Sequence, residues 1–342
     1  MSLRAVRSSG VAGSLAALMF GIGACSSPPP VDVIAADGAL CDISRRLAGA
    51  DLRISCLLSP DDDPHQLQLS PRQSRELRQA SLVLINGYGL TPALDRLPGT
   101  VKVAELAVPH TPRLDAGAAA PPPSHQHQDH PDLAHSEVLH GSSDSPEPRG
   151  HDHSGRDPHV WHDPRQAIAM VQLVSERLQR LNPRHAATIR SRGQRMQGVL
   201  AGLHRWNQRQ FASLPGRPTL ASGHRAYASL ARAYDLDELA VLDADSASNS
   251  LRPQRLAQVL DQLRSRAVRS LFAEQRPAAK SLQRISALSG VPIAPRPLLA
   301  DSGGDNLIAT LTANTCLIVE QLGGRCDHQG QAALVQQWNA IP

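Results

Sequence analysis

Short apolar runs alternate with amphipathic segments along the first third of the chain. Apolar runs that predict strands lie at 31–36, 52–58, 82–85 and 101–106. Between the first two, Leu40, Ile43 and Leu47 have the spacing of one helical face. Ser70-Pro71 predicts a helix start, with serine as N-cap and proline at the first helical position. Strands that alternate with helices predict a parallel sheet in an α/β fold.

The last third of the chain repeats this alternation. Predicted strands lie at 218–221, 239–242, 268–273 and 291–293, and predicted helices at 225–234, 252–263, 278–288, 307–322 and 332–338. Between the two regions, Asp163-Pro164 begins a predicted helix that ends near Leu181. A second helical pattern runs from Pro183 to Leu214, although each of its three glycines weakens a helix by about 1 kcal/mol relative to alanine. The pattern predicts two α/β lobes joined by one long helix.

Residues 107–156 interrupt the first region with a segment that has no apolar periodicity. Pro, Ser, Asp and Gly dominate it, so we expect no packed core and no fixed secondary structure. Its histidines are His125, His127, His130, His135, His140, His151 and His153. Imidazole is the commonest metal-binding side chain, so this string predicts several weak metal sites.

The N-terminus has the pattern of an export signal. Arg4 and Arg7 precede a short apolar run, 11–22, that is too short for a permanent membrane helix. The run ends before Cys25, where an ordinary signal would have a small-x-small site, and this resembles a bacterial lipoprotein box. The resemblance implies a signal peptide at 1–24, lipidation of Cys25 and a linker at 25–30. A plain cleaved signal with an incidental cysteine is the alternative, and both predict export.

Composition narrows the functional class without defining it. The 342 residues suffice for two lobes with separate cores, and the hydrophobic fraction of 41% is ordinary for a soluble protein. The formal net charge is +4 and the isoelectric point about 9.0. The basic residues are nearly all arginines scattered along helical faces, without the clusters of a nucleic-acid groove, so no nucleic-acid partner is expected.

Four further cysteines remain in an exported chain, which suggests disulfides. They are Cys41, Cys56, Cys316 and Cys326. Three connectivities are possible. Local closure favours Cys41–Cys56 and Cys316–Cys326, because short loops close at a lower entropic cost. A thiolate zinc site is the alternative, but it lacks the close C-x-x-C spacing that such sites usually show.

Two Asp-Pro-His motifs lie in predicted loops of the first lobe and end at His65 and His159. In the second lobe, His224 and Asp301 both follow predicted strands. Ligands of α/β sheets bind beyond the carboxyl ends of the strands. We therefore expect the four side chains to converge on a cleft between the lobes.

With these motifs in order, the chain resembles the cluster A-I metal-ion solute-binding proteins of ABC transporters, the zinc/manganese-binding family. The resemblance covers residues 31–342. It rests on Asp63-Pro64-His65 followed by Ser70-Pro71, on 157–164 and 223–227, and on Phe272-Ala273-Glu274 and Ala300-Asp301-Ser302.

The family resemblance implies a particular architecture. It comprises two βα lobes with parallel four-stranded sheets, one rigid linking helix, and metal in the interlobe cleft. Carried onto this chain, it implies a metal-binding lobe at 31–182 with the histidine-rich insertion at 107–156, a linking helix at 183–214 and a second lobe at 215–342. The implied ligands are His65, His159, His224 and Asp301.

Some residues depart from the family pattern or have other expected roles. Gln66-Leu67-Gln68 stands where the family often has an aromatic residue and a glutamate. His162 is a candidate accessory ligand, although a position on the loop surface is the favoured interpretation. Glu274 is expected to support the second lobe rather than to bind metal. The histidines expected to be structural or exposed are His110, His185, His204 and His328.

Three imidazoles and one carboxylate suit tetrahedral Zn²⁺, whereas manganese prefers more oxygen ligands. The family's manganese-binding members have a carboxylate where His224 stands here. We therefore expect a monomeric, lipid-anchored protein, periplasmic or at the cell surface, that carries Zn²⁺ as its transported ligand to an ABC permease and its ATPase. Proton competition should weaken binding below about pH 6.

Three alternative functions remain open. One is a manganese-binding homologue. Another is a surface zinc store or adhesin that depends on the histidine-rich insertion. A zinc hydrolase is a third, but the chain has no His-Glu-x-x-His and no Gly-x-Ser-x-Gly, so no enzymatic activity is expected.

Overall fold

The computed structural model describes residues 31–59, 62–114, 155–242, 252–301 and 306–342. The predicted signal peptide, Cys25 and the seven histidines between 125 and 153 lie outside the described residues. Within the described part of the chain, no helix is both long and apolar enough to cross a membrane.

The first lobe is built on a parallel sheet. Its strands are β1 (Val33–Ala35), β2 (Ile54–Cys56), β3 (Leu82–Ile85) and β4 (Thr100–Lys102). Their order is β2–β1–β3–β4, and Val33 pairs with Ile54 on one side and Leu82 on the other. The helices of this lobe are α1 (Gly38–Ala48), α2 (Pro71–Gln79), α3 (Pro92–Asp95) and α4 (Val103–Ala107). Ser70 caps α2 as predicted, in a reciprocal capping box with Gln73.

The predicted strand at 101–106 is wrong from Val103 onwards, because the chain turns into α4 at that residue. The turn is stabilised by tertiary contacts. The backbone N–H of Ala104 donates to the carbonyl of Asn86 at 2.8 Å, and the Glu105 carboxylate accepts the backbone N–H of Tyr88 at 2.7 Å. These contacts are non-local, so a period-two pattern could not reveal them.

Two long helices follow, α5 (Pro164–Leu181) and α6 (Ala186–Phe211). The 26 residues of α6 correspond to a length of about 39 Å. Gly193 lies where α6 meets α5, and a Cβ at this position would come within 3.0 Å of Ser175 Oγ. This glycine therefore permits close approach of the two helices, despite its low helix propensity.

The second lobe has a smaller parallel sheet. Its strands are β5 (Thr219–Ser222), β6 (Asp237–Ala240) and β7 (Leu271–Phe272), in the order β6–β5–β7. Its helices are α7 (Ala228–Tyr234), α8 (Pro253–Ser265) and α9 (Lys280–Ser289). The described residues thus form three strands rather than the expected four. Ile293 makes a single bridge to Leu271, and the preceding Pro292 has no N–H with which to extend the ladder.

The last two helices contact the core of the first lobe, and the first of them also contributes Leu317 and Ile318 to a buried cluster of the second lobe. They are α10 (Leu307–Gln321) and α11 (His328–Asn339). Leu307 and Trp338 belong to the same buried cluster as Leu40 of α1 and Leu200 of α6. The buried Asp42 carboxylate accepts hydrogen bonds from the backbone N–H of Leu307 at 2.8 Å and from Trp338 Nε1 at 2.7 Å. One carboxylate therefore ties both C-terminal helices to α1.

Two disulfides link the cysteines in the locally closed arrangement that was favoured. Cys41 of α1 is bonded to Cys56 of β2, and Cys316 of α10 to Cys326 just before α11. The predicted pairing is confirmed.

Both ends of the predicted insertion are ordered, contrary to the expectation for the whole of 107–156. The backbone N–H of Leu114 donates to the carbonyl of Gly155 at 2.9 Å, and that of Asp157 donates to the carbonyl of Pro112 at 2.8 Å. Thr111 Oγ1 also donates to the Asp157 carbonyl at 2.9 Å. Local composition could not reveal this, because the two pairing segments are about forty residues apart in the chain.

Candidate metal centre

Both Asp-Pro-His motifs fold in the same way. The Asp63 carboxylate accepts the backbone N–H of His65 at 2.8 Å, and the Asp157 carboxylate accepts that of His159 at 2.9 Å. Each aspartate thus closes a turn over the intervening proline, which has no N–H and a fixed φ. The motif therefore holds the histidine backbone at a defined angle to the preceding chain.

The four predicted ligands come together from separate parts of the fold. His65 lies in a 3₁₀ turn, Pro64–Gln66, after β2, and His159 precedes a second turn, Val160–His162. His224 follows β5, and Asp301 follows the segment that leads from the Ile293 bridge. One ligand atom from each of the four lies within 4.8 Å of those from the other three. The four side chains that were expected to converge therefore lie together.

Asp301 lies at the centre of the group. Its Oδ1 is 2.8 Å from His159 Nε2, 3.1 Å from His65 Nε2 and 3.6 Å from His224 Nε2. The His159 side chain is only 1% exposed, whereas those of His224 and Asp301 are each 20% exposed. The cluster is therefore closed on the His159 side and open to solvent on the other.

The electrostatics of the cluster favour a cation. Burial raises the pKa of Asp301, but the charge on His224 and hydrogen bonds from the three imidazoles outweigh it and hold the pKa well below its ordinary value. Burial lowers the pKa of His159, but its bonds to Asp157 and Asp301 raise it to about 9. The cluster therefore favours positive charge beside the Asp301 carboxylate.

Carboxylates outside the cluster orient two of the histidines. Nδ1 of His159 lies 3.2 Å from Asp157 Oδ1, and Nδ1 of His224 lies 2.7 Å from Glu274 Oε2. A histidine that donates Nδ1–H to a carboxylate presents Nε2 to a metal, the usual arrangement around metal-binding imidazoles. Glu274 also accepts the His224 backbone N–H at 3.1 Å, which agrees with its predicted supporting role.

Asp157 and Ser229 lie beside the cluster, and the sequence assigns neither of them a role of its own. Asp157 enters the sequence analysis only as part of a motif, and its two-residue spacing to His159 is the signal for the turn that it forms. Ser229, which bonds Asp157 from α7, lies 72 positions further along the chain. Nothing in the sequence near Ser229 marks it.

His162 differs from its predicted place on the loop surface. It is 2% exposed, its Nε2 donates to the Ala300 carbonyl at 3.0 Å, and its ring lies 4.9 Å from that of Tyr227. Burial lowers its pKa to about 4, so it is neutral and fixes the chain just before Asp301. It is not part of the ligand group among the described residues.

The other four described histidines lie outside the cluster, where they are exposed or form hydrogen bonds with other residues. His110 and His185 are exposed, and His204 bonds the Tyr234 hydroxyl at 3.1 Å. His328 lies beside the Cys316–Cys326 disulfide and bonds Glu320 at 2.8 Å. These positions agree with their expected structural or surface roles.

Two α/β lobes, a long helix between them and a histidine–carboxylate cluster in the cleft define a metal-binding solute-binding protein. The model of one protein family matches residues 33–321. The chain belongs to that family, described as "Zinc-uptake complex component A periplasmic". Its relatives are metal-binding transport proteins rather than enzymes, which confirms the prediction of no enzymatic activity.

Individual relatives are distant but cover most of the chain. The metal ABC transporter substrate-binding lipoprotein SloC of Streptococcus mutans is 20% identical over 307 residues, which cover 86% of this chain and 92% of the relative. The manganese-binding lipoprotein MntA of Bacillus subtilis is 22% identical over 268 residues, 76% of each chain. These lipoprotein relatives confirm the prediction of an exported, membrane-anchored protein.

A solved structure supports the fold. The periplasmic zinc binding protein TroA from Treponema pallidum superposes with a TM-score of 0.68 at 22% identity. The superposition covers 86% of this chain and 100% of that one. The two-lobe architecture with its linking helix is therefore confirmed.

Proposed function

We propose that the protein captures Zn²⁺ in the interlobe cleft through His65, His159, His224 and Asp301, and delivers it to the membrane permease of an ABC transporter. The observation that carries the proposal is the convergence of three imidazole nitrogens and one carboxylate oxygen within 4.8 Å of one another. Zn²⁺ takes four nitrogen or oxygen ligands at about 2.0–2.2 Å, so small movements suffice to close the cluster around it.

The donor set supports zinc rather than manganese. Manganese favours carboxylate, carbonyl and water oxygens, whereas imidazole suits zinc. Glu274 could add oxygens, but both its carboxylate oxygens already accept hydrogen bonds from His224. The Bacillus relative is named for manganese and the Treponema structure for zinc. The preference of this site for zinc over manganese is therefore the point to test.

Binding would exchange protons for metal. Asp301 Oδ1 lies 2.8 Å from Nε2 of His159 and 3.1 Å from Nε2 of His65. Zn²⁺ would take the place of these contacts, bind the imidazoles directly and keep the carboxylate as its fourth ligand. Because the ligands belong to both lobes, the metal would tie the lobes together, and α6 would limit their movement to small displacements.

The remaining parts of the chain would serve delivery. Cys25 would anchor the protein by lipid, and the permease with its ATPase would receive the metal from a monomer. The histidines between 125 and 153 would bind zinc weakly and raise its concentration near the cleft. The cleft would then take the ion with higher affinity.

Calorimetric titration with zinc, and in parallel with manganese, tests this proposal. The proteins are the soluble mature chain and a variant that lacks 115–154. The hydrogen bond from Leu114 to Gly155 brings the cut ends together, so a short Gly-Ser turn can join them. One tight zinc site should survive the deletion and bind manganese on the order of a hundredfold more weakly or worse.

Single variants identify the ligands. His65→Ala, His159→Ala, His224→Ala and Asp301→Ala should each weaken the tight site by about a hundredfold or more, since loss of a ligand exceeds the effect of losing an orienting partner. His185→Ala is the matched control, because that histidine is exposed and lies outside the cluster. If the deletion removed all tight binding and the ligand variants changed nothing, a zinc store that depends on the insertion would replace this proposal.

A further inference from the structure

Asp157 is a fully buried carboxylate at the boundary between the lobes. Its Oδ1 accepts the backbone N–H of His159 at 2.9 Å and lies 3.2 Å from Nδ1 of the same residue. Its Oδ2 accepts two hydrogen bonds from Ser229, from the backbone N–H at 2.8 Å and from the hydroxyl at 2.6 Å. A buried charge without donors is costly, so the orientation of this carboxylate depends on them.

Ser229 approaches Asp157 from the other lobe. It is the second residue of α7 and is fully buried, while Asp157 and His159 belong to the segment before α5. We propose that Ser229 is a positioning residue: its two donors hold Asp157 in the orientation that directs Nε2 of His159 into the cleft, so that metal affinity depends on how the lobes are arranged. The metal-binding consequence rests on the zinc function proposed above.

The contact continues outward to the surface. With the amide of the buried Gln166 oriented to satisfy its neighbours, its nitrogen donates to Ser229 Oγ at 3.1 Å and to the Val160 carbonyl at 3.0 Å. Its oxygen accepts from Arg232 of α7 at 2.8 Å. A hydrogen-bonded series therefore leads from the exposed Arg232 through Gln166, Ser229 and Asp157 to His159.

Through these hydrogen bonds, the orientation of the His159 imidazole depends on the position of α7 relative to the first lobe. A displacement of α7 away from the first lobe would remove both Ser229 donors at once. Asp157 would then turn towards whatever donors remain, and the His159 imidazole would lose its fixed acceptor at Nδ1. Such a displacement would weaken the hold on the metal at His159 in addition to moving His224 and Asp301.

Ser229→Ala tests the proposal directly. It removes the shortest hydrogen bond to Asp157 and leaves the backbone donor in place. Removal of a residue that orients a metal ligand typically weakens metal affinity 10- to 100-fold. Because the backbone donor of residue 229 remains, we expect the lower end of this range, seen as an increase of about tenfold in the zinc dissociation rate. The rate is measured by transfer of zinc from the loaded full-length protein to a chromophoric chelator.

A second readout separates positioning from general destabilisation. In the metal-free protein, ¹⁵N chemical shifts of the imidazole ring report which nitrogens of His159 carry protons. Ser229→Ala should shift the His159 signals, and Ser229→Thr, which keeps the hydroxyl, should restore both the signals and the rate. Ser286→Ala is the matched control. It removes a 2.7 Å hydroxyl bond to the Val291 carbonyl elsewhere in the second lobe and should change neither readout.

Arg232→Ala provides a test on a surface residue that does not threaten folding. Loss of its bond to Gln166 should accelerate dissociation about two- to fivefold. Wild-type rates and unshifted His159 signals in both Ser229→Ala and Arg232→Ala would overturn the proposal. If the wild-type protein had no tight zinc site, the zinc function would fail, while the metal-free ring signals would still decide whether Ser229 positions His159.

Discussion

Zinc binding at this centre should release protons even at pH values well above the range in which histidine ordinarily titrates. Burial lowers the pKa of His159, but its bonds to Asp157 and Asp301 raise it to about 9. Burial likewise lowers the pKa of His224, but the charges of Glu274 and Asp301 outweigh it and raise the pKa well above its ordinary value. Asp301 is already ionised, because its pKa is held well below the usual range. Metal must therefore displace two imidazole protons.

The magnitude follows from these shifts. At pH 7 a group with a pKa of about 9 is roughly 99% protonated, so His159 alone weakens the apparent zinc affinity about 100-fold, or about 2.7 kcal/mol. With His224 also protonated, about two protons should leave per zinc ion at pH 7. The apparent affinity should then rise by up to about a hundredfold per pH unit. The fall in affinity on acidification therefore begins near pH 9, rather than near pH 6 as unperturbed histidines would predict.

Calorimetry measures the proton count. Zinc titrations at pH 6, 7, 8 and 9, each in two non-coordinating buffers of different ionisation enthalpy, give the number of protons released from the difference in heat. His185→Ala should leave the count unchanged, because this exposed histidine lies outside the cluster. A release of less than half a proton at pH 7, with no change in affinity between pH 7 and pH 9, would refute the reasoning.

Three further changes test the supporting structure. Glu274→Gln should weaken zinc binding about 10- to 100-fold, because Nδ1 of His224 loses its charged acceptor. Titration calorimetry measures this change. Glu76→Gln on the surface of α2 is the control and should have no effect. Trp338→Ala should lower the free energy of unfolding, measured in urea, by about 3–5 kcal/mol, because it empties a fully buried site and removes a donor to Asp42. Leu106→Ala, at a 57% exposed position, should change the free energy of unfolding by no more than about 0.5 kcal/mol. Cys316→Ser with Cys326→Ser should cost about 2–3 kcal/mol for a loop of 10 residues, and equal stability of the double variant and the wild type would contradict this. Zinc affinity of that double variant should be unchanged.

Elements with strong local signals were predicted to within a few residues. The helix Pro164–Leu181 has its predicted bounds, because Asp163 caps it, Pro164 fits its first turn and one face is apolar throughout. The strand Leu82–Ile85 also matches, since a run of four β-type residues is bounded by polar and glycine positions. The prediction for 101–106 is wrong from Val103 onwards because this segment is held as a helix by bonds from Ala104 N–H to the Asn86 carbonyl and from Tyr88 N–H to the Glu105 carboxylate.

The sequence by itself determined the ligand candidates, the two-lobe alternation and the disulfide preference. These predictions depend on residue type and on short spacings. The ligand candidates depend on an aspartate two positions before a histidine, the two-lobe alternation on the periodic spacing of hydrophobic residues, and the disulfide preference on cysteines that lie close together in the chain. Each is decided by local chemistry. In the described residues the two disulfides form and the four candidate ligands lie together.

Only the tertiary structure decided how the four candidate ligands and their neighbours are arranged. The raised pKa of His159 needs Asp301 at 2.8 Å from a position 142 residues away. The burial of His162 needs the Ala300 carbonyl, and the orientation of Asp157 needs Ser229 in the other lobe. Electrostatic and hydrogen-bond energies depend on distances between side chains and on the solvent that burial excludes. Residue order alone contains neither quantity until the chain has folded.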